Sequence, residues 1–229
     1  LHAPAMSTIQ MTQALNVGRE AAEQAKDNKI QLSIGGEMGI GNTTSATALA
    51  SILLDTQPAY LTGPGTGLDK HGIAHKINII ERALALHTPD INTPIEALRT
   101  VGGFEIVALT GLYIRGAQLG MPMLIDGFIS SVAALAAETI LPGCKHWFIY
   151  SHQSSEPGHR LILQALNAKP FIGVWYSIPP KTEAGPLKKS PTSTFPPRPL
   201  TSAFRTQKES FISQKPLFEI TLIAYSVFS

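Results

Sequence analysis

The sequence predicts an α/β fold built on a parallel sheet with crossover helices, and two features predict it. Short strand-like segments alternate with longer helix-like ones over the first two thirds of the chain, and polar glycine-rich loops follow the strands. Strands separated by helices of this length pair in parallel, because a crossover helix returns the chain to the same end of the sheet. Ligands in such sheets sit beyond the carboxyl ends of the strands, so the glycine-rich loops stand where a site is expected.

Taken in order, residues 10–26 are rich in Ala, Glu and Gln and read as a helix. Residues 30–34 form a short strand ending at Gly35-Gly36, and 44–54 form a small-residue apolar helix that reads as buried. Ile73, Ile77, Ile80 and Leu84 recur at helical spacing, with Lys76, Glu81 and Arg82 off that stripe. Thr93-Pro94-Ile95-Glu96 is a capping box with proline at the first helical position, and its helix stops at Gly102-Gly103. Residues 104–119 read as a helix, and Met123-Leu124-Ile125 as a strand stopped by Asp126-Gly127. Residues 128–141 are again helical, closed by Pro142-Gly143. Residues 147–150 form a strand that feeds a loop over 151–158, and 159–166 form a helix. From Pro170 onward the character changes: nine of the 17 prolines lie there, but only Gly173 and Gly185 of the 19 glycines. Pro179-Pro180-Lys181 and Pro196-Pro197-Arg198-Pro199 continue neither a helix nor a central strand. Beyond a strand at 171–175 no βα pattern follows, and the tail reads as linker or disorder.

Composition bounds the function. With 229 residues, 44% hydrophobic and 15% charged, the chain supports a substantial core. A net charge of +2 gives no reason to expect nucleic acid or a membrane surface as partner. The single cysteine, Cys144, allows neither an internal disulfide nor a thiolate zinc cluster, and a reducing cytoplasmic setting is expected. The first residues lack the basic and apolar regions of a secretory signal. No apolar run approaches the ~20 residues of a membrane span; the longest late candidate, 217–228, carries Glu219. The chain begins with Leu1 rather than Met, and the expectation is a fragment or processed chain.

Four motifs carry chemistry. In the first, Gly35-Gly36-Glu37-Met38-Gly39-Ile40-Gly41-Asn42-Thr43-Thr44-Ser45, a strand gives way to a helix. Glycines let backbone N–H groups approach an anion, and the helix start with its hydroxyls is suited to phosphate. It is neither a Walker A loop nor a full dinucleotide fingerprint, and a tight turn with a helix cap is the competing reading. In the second, Gly63-Pro64-Gly65-Thr66-Gly67-Leu68-Asp69 precedes Gly72 and Lys76. Lys76 would offer a point charge to a phosphate; the alternative is a solvated helix-surface lysine. The third, Asp126-Gly127-Phe128, presents an acid at a strand end, for ribose hydroxyls or for capping the next helix. The fourth, Ser151-His152-Gln153-Ser154-Ser155-Glu156-Pro157-Gly158-His159, is a polar loop after a strand. Its histidines are too far apart for a helical metal pair, and no nucleophile elbow accompanies its serines, so no metal is expected and a hydrolase carries little weight.

Together GGEMGIGNTTSA, GTGLDKHGIAHK, ERALALH, EALRTVGGFEI, MLIDGFI and SHQSSEPGHRL, in this order and spacing, resemble the nicotinate-nucleotide–dimethylbenzimidazole phosphoribosyltransferase family over residues 1 to about 168. The resemblance implies a Rossmann-like doubly wound parallel sheet, a homodimer and no cofactor. It implies nicotinate mononucleotide and 5,6-dimethylbenzimidazole as substrates, giving α-ribazole 5′-phosphate and nicotinate for the lower ligand of cobalamin. By motif position, Gly39, Gly41, Asn42, Thr43, Gly65, Thr66, Gly67 and Lys76 would line the nucleotide phosphate region. Glu37 would sit near the reacting centre, and Asp126 and Ser151 would border ribose or phosphate.

Members of that family extend further at the N-terminus and continue into a Leu-Gly-Glu-Gly-type segment whose Glu is the catalytic base. Nothing after Lys169 matches that segment; Glu183 precedes Ala184-Gly185 in a Pro- and Lys-rich setting. The expectation is therefore a core over 1–168, incomplete at both ends, and a Pro-rich tail over 169–229 that is frameshifted or disordered. Loss of a general base costs on the order of 10²–10⁴ in rate, so the alternative is a catalytically impaired nucleotide-binding derivative. A sheet edge left uncovered by such a tail, with a β-prone stretch at 217–225, is expected to invite aggregation.

Overall fold

A computed structural model describes residues 2–175 and 220–225 of the chain. Helix α1 spans Thr8–Asp27, two residues earlier than composition alone places it, because Ser7 and Gln10 form a reciprocal capping box. Strand β1, Leu32–Glu37, also departs from expectation: it does not stop at the glycine pair but runs through it. The reason lies above the sheet, where the ring of Tyr113 occupies the space over Gly35 that a Cβ would need. Its hydroxyl donates to the Gly35 carbonyl at 3.1 Å.

Helix α2 spans Thr43–Leu53, and a one-turn helix α3, Pro58–Leu61, starts at a proline. Helix α4, Lys70–His87, is capped by Asp69, whose side chain accepts from Gly72 N–H at 2.8 Å. Helix α5, Pro94–Val101, carries the capping box read from Thr93 and Glu96 and ends at Gly102. Helices α6, Phe104–Gln118, and α7, Phe128–Ile140, flank strand β2, Met123–Ile125. Strand β3, Phe148–Tyr150, follows a 3-10 turn at Cys144–Trp147. The segment expected to be loop instead forms a short strand β4, His152–Ser154, and helix α8 starts at Pro157 and runs to Ala165. Strands β5, Ile172–Trp175, and β6, Ile220–Tyr225, complete the described elements.

The strands lie in the order β3-β2-β1-β6, with every neighbouring pair parallel, and β4 pairs in parallel with β5 in a separate two-stranded sheet. The expected α/β parallel architecture is present. The register Gly35↔Ile125↔Tyr150 brings the carboxyl ends of β1, β2 and β3 to one side, so that Glu37, Asp126 and Ser151 leave the sheet at the same edge. Strand β1 is paired along its length with β6, from Leu32↔Ile220 to Glu37↔Tyr225. Glu183 and the proline runs after residue 175 lie outside the described residues.

The core forms where α6 and α7 pack on the sheet. Leu109, Leu112 and Tyr113 from α6, Val132 and Ala136 from α7, and Met123 and Ile125 from β2 are fully buried. Helix α1 packs on α6 at backbone range because Gly18 faces the Ala108 carbonyl and Gly111 faces the Leu15 carbonyl; a Cβ at either glycine would collide. Among the described residues no helix is long and apolar enough to cross a membrane.

Candidate functional site

The two glycine-rich motifs meet through Lys76. Although it lies off the apolar stripe of its helix, Lys76 is 6% exposed and, with Ile80, lines the buried face of α4. The stripe does not reveal this because it counts only apolar residues, while the face turned toward α2 is filled by the lysine stem. Its Nζ donates to Thr43 Oγ1 at 2.6 Å, at the start of α2, and to the Gly63 carbonyl at 3.4 Å. Gly65, with φ +56°, lies against Thr43 Oγ1 and Lys76 Nζ, and a side chain there would fill the gap between them. Burial lowers the Lys76 pKa, opposed by the negative charge of Glu156.

Glu156 is not among the expected site residues. It immediately precedes α8 and is 7% exposed. It sends Oε1 across 91 positions to accept from Gly65 N–H at 2.8 Å. Its Oε2 is buried with no hydrogen-bond partner among the described residues. The sequence holds only a weak signal for it, a carboxylate just before Pro157 in an otherwise polar segment.

Glu37 ends β1 beside Gly39 and Asn42, and Gly41 turns the chain into α2 at φ +88°. Burial raises the Glu37 pKa, the Asn42 side chain and Gly39 N–H oppose this, and the negative charge of Glu105 adds to it. Its Oε2 is likewise buried without a partner among the described residues. Asn42 precedes α2 but makes no side-chain cap, so its amide serves Glu37 rather than the helix. Thr66 and Gly67 are exposed in the loop, Gly67 at φ +116°.

Asp126 lies beside Gly36, and its side chain makes no cap for α7, whose N-cap is Gly127. Its Oδ1 is 3.7 Å from Nδ1 of His152, which is also 2.9 Å from Ser151 Oγ. The structure thus groups Asp126, Ser151 and His152 at the ends of β2 and β3. His152 and His159 stand edge to face, with centroids 6.4 Å apart.

His159 is fully buried, whereas the sequence suggests it only as a metal ligand to be weighed and set aside. Its Nδ1 accepts from Ser154 N–H at 2.8 Å, which fixes the proton on Nε2, 2.9 Å from Ser131 Oγ. Ser131 in turn reaches the Asp126 carbonyl at 3.5 Å. Burial, and then the neighbouring His152, lowers the His159 pKa to about 4. The imidazole is therefore a neutral bridge between the segment carrying Glu156 and the strand end carrying Asp126. Among the described residues no group of three or more His, Cys, Asp or Glu converges for a metal ion.

Fold and site define an α/β protein whose polar groups cluster at the carboxyl edge of a parallel sheet. A family model described as "Phosphoribosyltransferase" matches residues 1–175, and the chain belongs to that family. It is 53% identical over 171 residues to the nicotinate-nucleotide–dimethylbenzimidazole phosphoribosyltransferase of Pseudomonas putida (strain GB-1), an alignment covering 75% of this chain and 49% of the relative. The enzyme of that name from Azotobacter vinelandii is 52% identical over 172 residues, with the same coverage. The crystal structure of CobT from Thermus thermophilus superposes with a TM-score of 0.71 at 40% identity, covering 75% of this chain and 51% of that one. The chain spans about half the length of the curated relatives it matches.

Proposed function

We propose that the protein binds nicotinate mononucleotide and serves transfer of its 5-phosphoribosyl group to 5,6-dimethylbenzimidazole. The products are α-ribazole 5′-phosphate and nicotinate. The observation that carries this reading is the cluster of Lys76, Thr43 and Gly65, supported by 52–53% identity to relatives bearing that enzyme name. A buried ammonium beside a hydroxyl and a left-handed glycine loop is suited to a phosphate monoester. Asp126 and Ser151, on the same sheet edge, are suited to ribose hydroxyls.

In the reaction a benzimidazole nitrogen attacks C1′, the glycosidic bond to nicotinate breaks, and the bonding pair neutralises the cationic nicotinate nitrogen. The proton on the benzimidazole must pass to a base. Glu37, half-buried and with its pKa raised by desolvation, is the candidate in this chain. Holding both rings in line supplies the remaining advantage.

A second reading is a nucleotide-binding derivative with impaired turnover. It rests on the sequence after Lys169, in which no Leu-Gly-Glu-Gly-type segment occurs. We further propose that residues 1–168 form the functional core, that the protein acts as a cytoplasmic homodimer, and that it takes neither nucleic acid nor membrane as partner. The single buried Cys144 and the near-balanced charge support this setting. A turnover assay with both substrates, following α-ribazole 5′-phosphate by chromatography, separates the two readings. Product from this chain supports the transferase; nucleotide binding without product supports the derivative.

A further inference from the structure

We propose that Glu156 is a positioning residue for the anion site: its carboxylate fixes loop 63–67 so that Lys76, Thr43 and the loop backbone converge before any ligand arrives. The inference rests on reading the Lys76 cluster as the nucleotide phosphate site.

Loop 63–67 has little of its own to hold it. Gly65 and Gly67 both adopt positive φ, and glycine backbone of this kind loses the most conformational freedom on ordering. Its internal ties are turn bonds from Gly67 N–H and Leu68 N–H to the Pro64 carbonyl. The tie to the rest of the fold at its centre is Glu156, accepting from Gly65 N–H at 2.8 Å. Contact continues at Gly63, where a Cβ would collide with Glu156 Oε2 and with the Pro157 ring. Glycine at 63 is therefore required by the carboxylate and the Pro157 ring rather than by backbone angle.

The segment bearing Glu156 is itself rigid. Pro157 occupies the first turn of α8, Glu156 N–H donates to Ser154 Oγ at 3.2 Å, and Ser154 N–H donates to the buried His159. A carboxylate on so fixed a base is suited to hold the glycine loop still through the bond from Gly65 N–H.

The test uses the full chain and three variants, Glu156→Ala, Glu156→Asp and Glu156→Gln. It measures calorimetric affinity for nicotinate mononucleotide and for the nucleoside lacking phosphate, with amide exchange at Gly65 followed by NMR. Alanine removes the acceptor, aspartate keeps the charge but is one methylene too short, and glutamine keeps an acceptor at the same reach. The expected result for Ala and Asp is a loss of nucleotide affinity of roughly tenfold or more. Nucleoside affinity should be unchanged, Gly65 exchange faster, and Gln near wild type in all three readouts. Aspartate also serves should the alanine variant fail to fold. Equal weakening of nucleotide and nucleoside, or a Gln variant as weak as Ala, overturns positioning through the hydrogen bond. If the wild-type chain binds no nucleotide, the functional reading fails, while exchange at Gly65 still decides the role of Glu156: unchanged exchange in both Ala and Asp variants overturns it.

Discussion

Lys76 Nζ donates to Thr43 Oγ1 at 2.6 Å, joining the buried face of α4 to the first residue of α2 across 33 positions. This bond closes the two glycine-rich motifs into one site. Replacing Thr43 with Val removes the acceptor while preserving shape, leaving the buried ammonium to its 3.4 Å contact with Gly63. Stability should fall by about 1–3 kcal/mol, measured by urea unfolding. An unchanged midpoint would mean that water or another group satisfies Lys76.

The buried His159 makes stability pH-dependent. Its pKa in the fold is about 4, below the ordinary 6.5, so the folded state favours the neutral ring. The stabilisation is fully present above 6.5 and is lost as pH falls from there toward 4. A shift of this size corresponds to a loss on the order of 3 kcal/mol, saturating below about pH 4. Unfolding free energies of the wild type and His159→Gln between pH 7 and 4 should converge as the pH drops. Parallel curves would contradict the assignment.

Glu37 has the opposite sign. Its pKa is raised by burial, so the ionised carboxylate is a liability to the fold above its titration, and the folded state takes up a proton before the unfolded chain does. Glu37→Gln should therefore stabilise the protein at pH 7 and lose that advantage as pH falls below the Glu37 titration. The same variant should abolish any turnover that uses Glu37 as base, a drop on the order of 10²–10⁴. A destabilised Gln variant at neutral pH would argue that the carboxylate is held by partners rather than desolvated.

Gly35 sits under the Tyr113 ring with no room for a side chain. Gly35→Val should destabilise by about 1–3 kcal/mol or more through overpacking. Tyr113→Phe, losing the hydroxyl with its bonds to the Gly35 carbonyl and to Ser130, should cost about 1 kcal/mol. Thermal melts of the pair rank the two effects, and equal losses would contradict this packing.

Much of the fold was legible because local signals agreed. The Thr93–Glu96 capping box, the strand at Met123–Ile125 and the alternation of strand and helix all stand in the structure. Where the structure departs from the local signals, a long-range partner intervenes. The Gly35-Gly36 pair resembles a strand stop but is strand, because Tyr113, 78 positions away, covers it. Segment 152–154 resembles loop but pairs with β5. In the candidate site, the glycine motifs stand out as polar loops after strands, and Lys76 for its place after Gly72. Glu156 and His159 do not, because what marks them is burial and bonds to Gly65, Ser131 and Ser154, which spacing does not encode.

The most direct test is calorimetric titration of nicotinate mononucleotide into this chain and into its Lys76→Ala variant. Saturable one-site binding is expected for the wild type, with an affinity at least roughly tenfold weaker for the variant, as follows when a buried charge-assisted contact is lost. Equal affinity for both proteins would contradict that expectation.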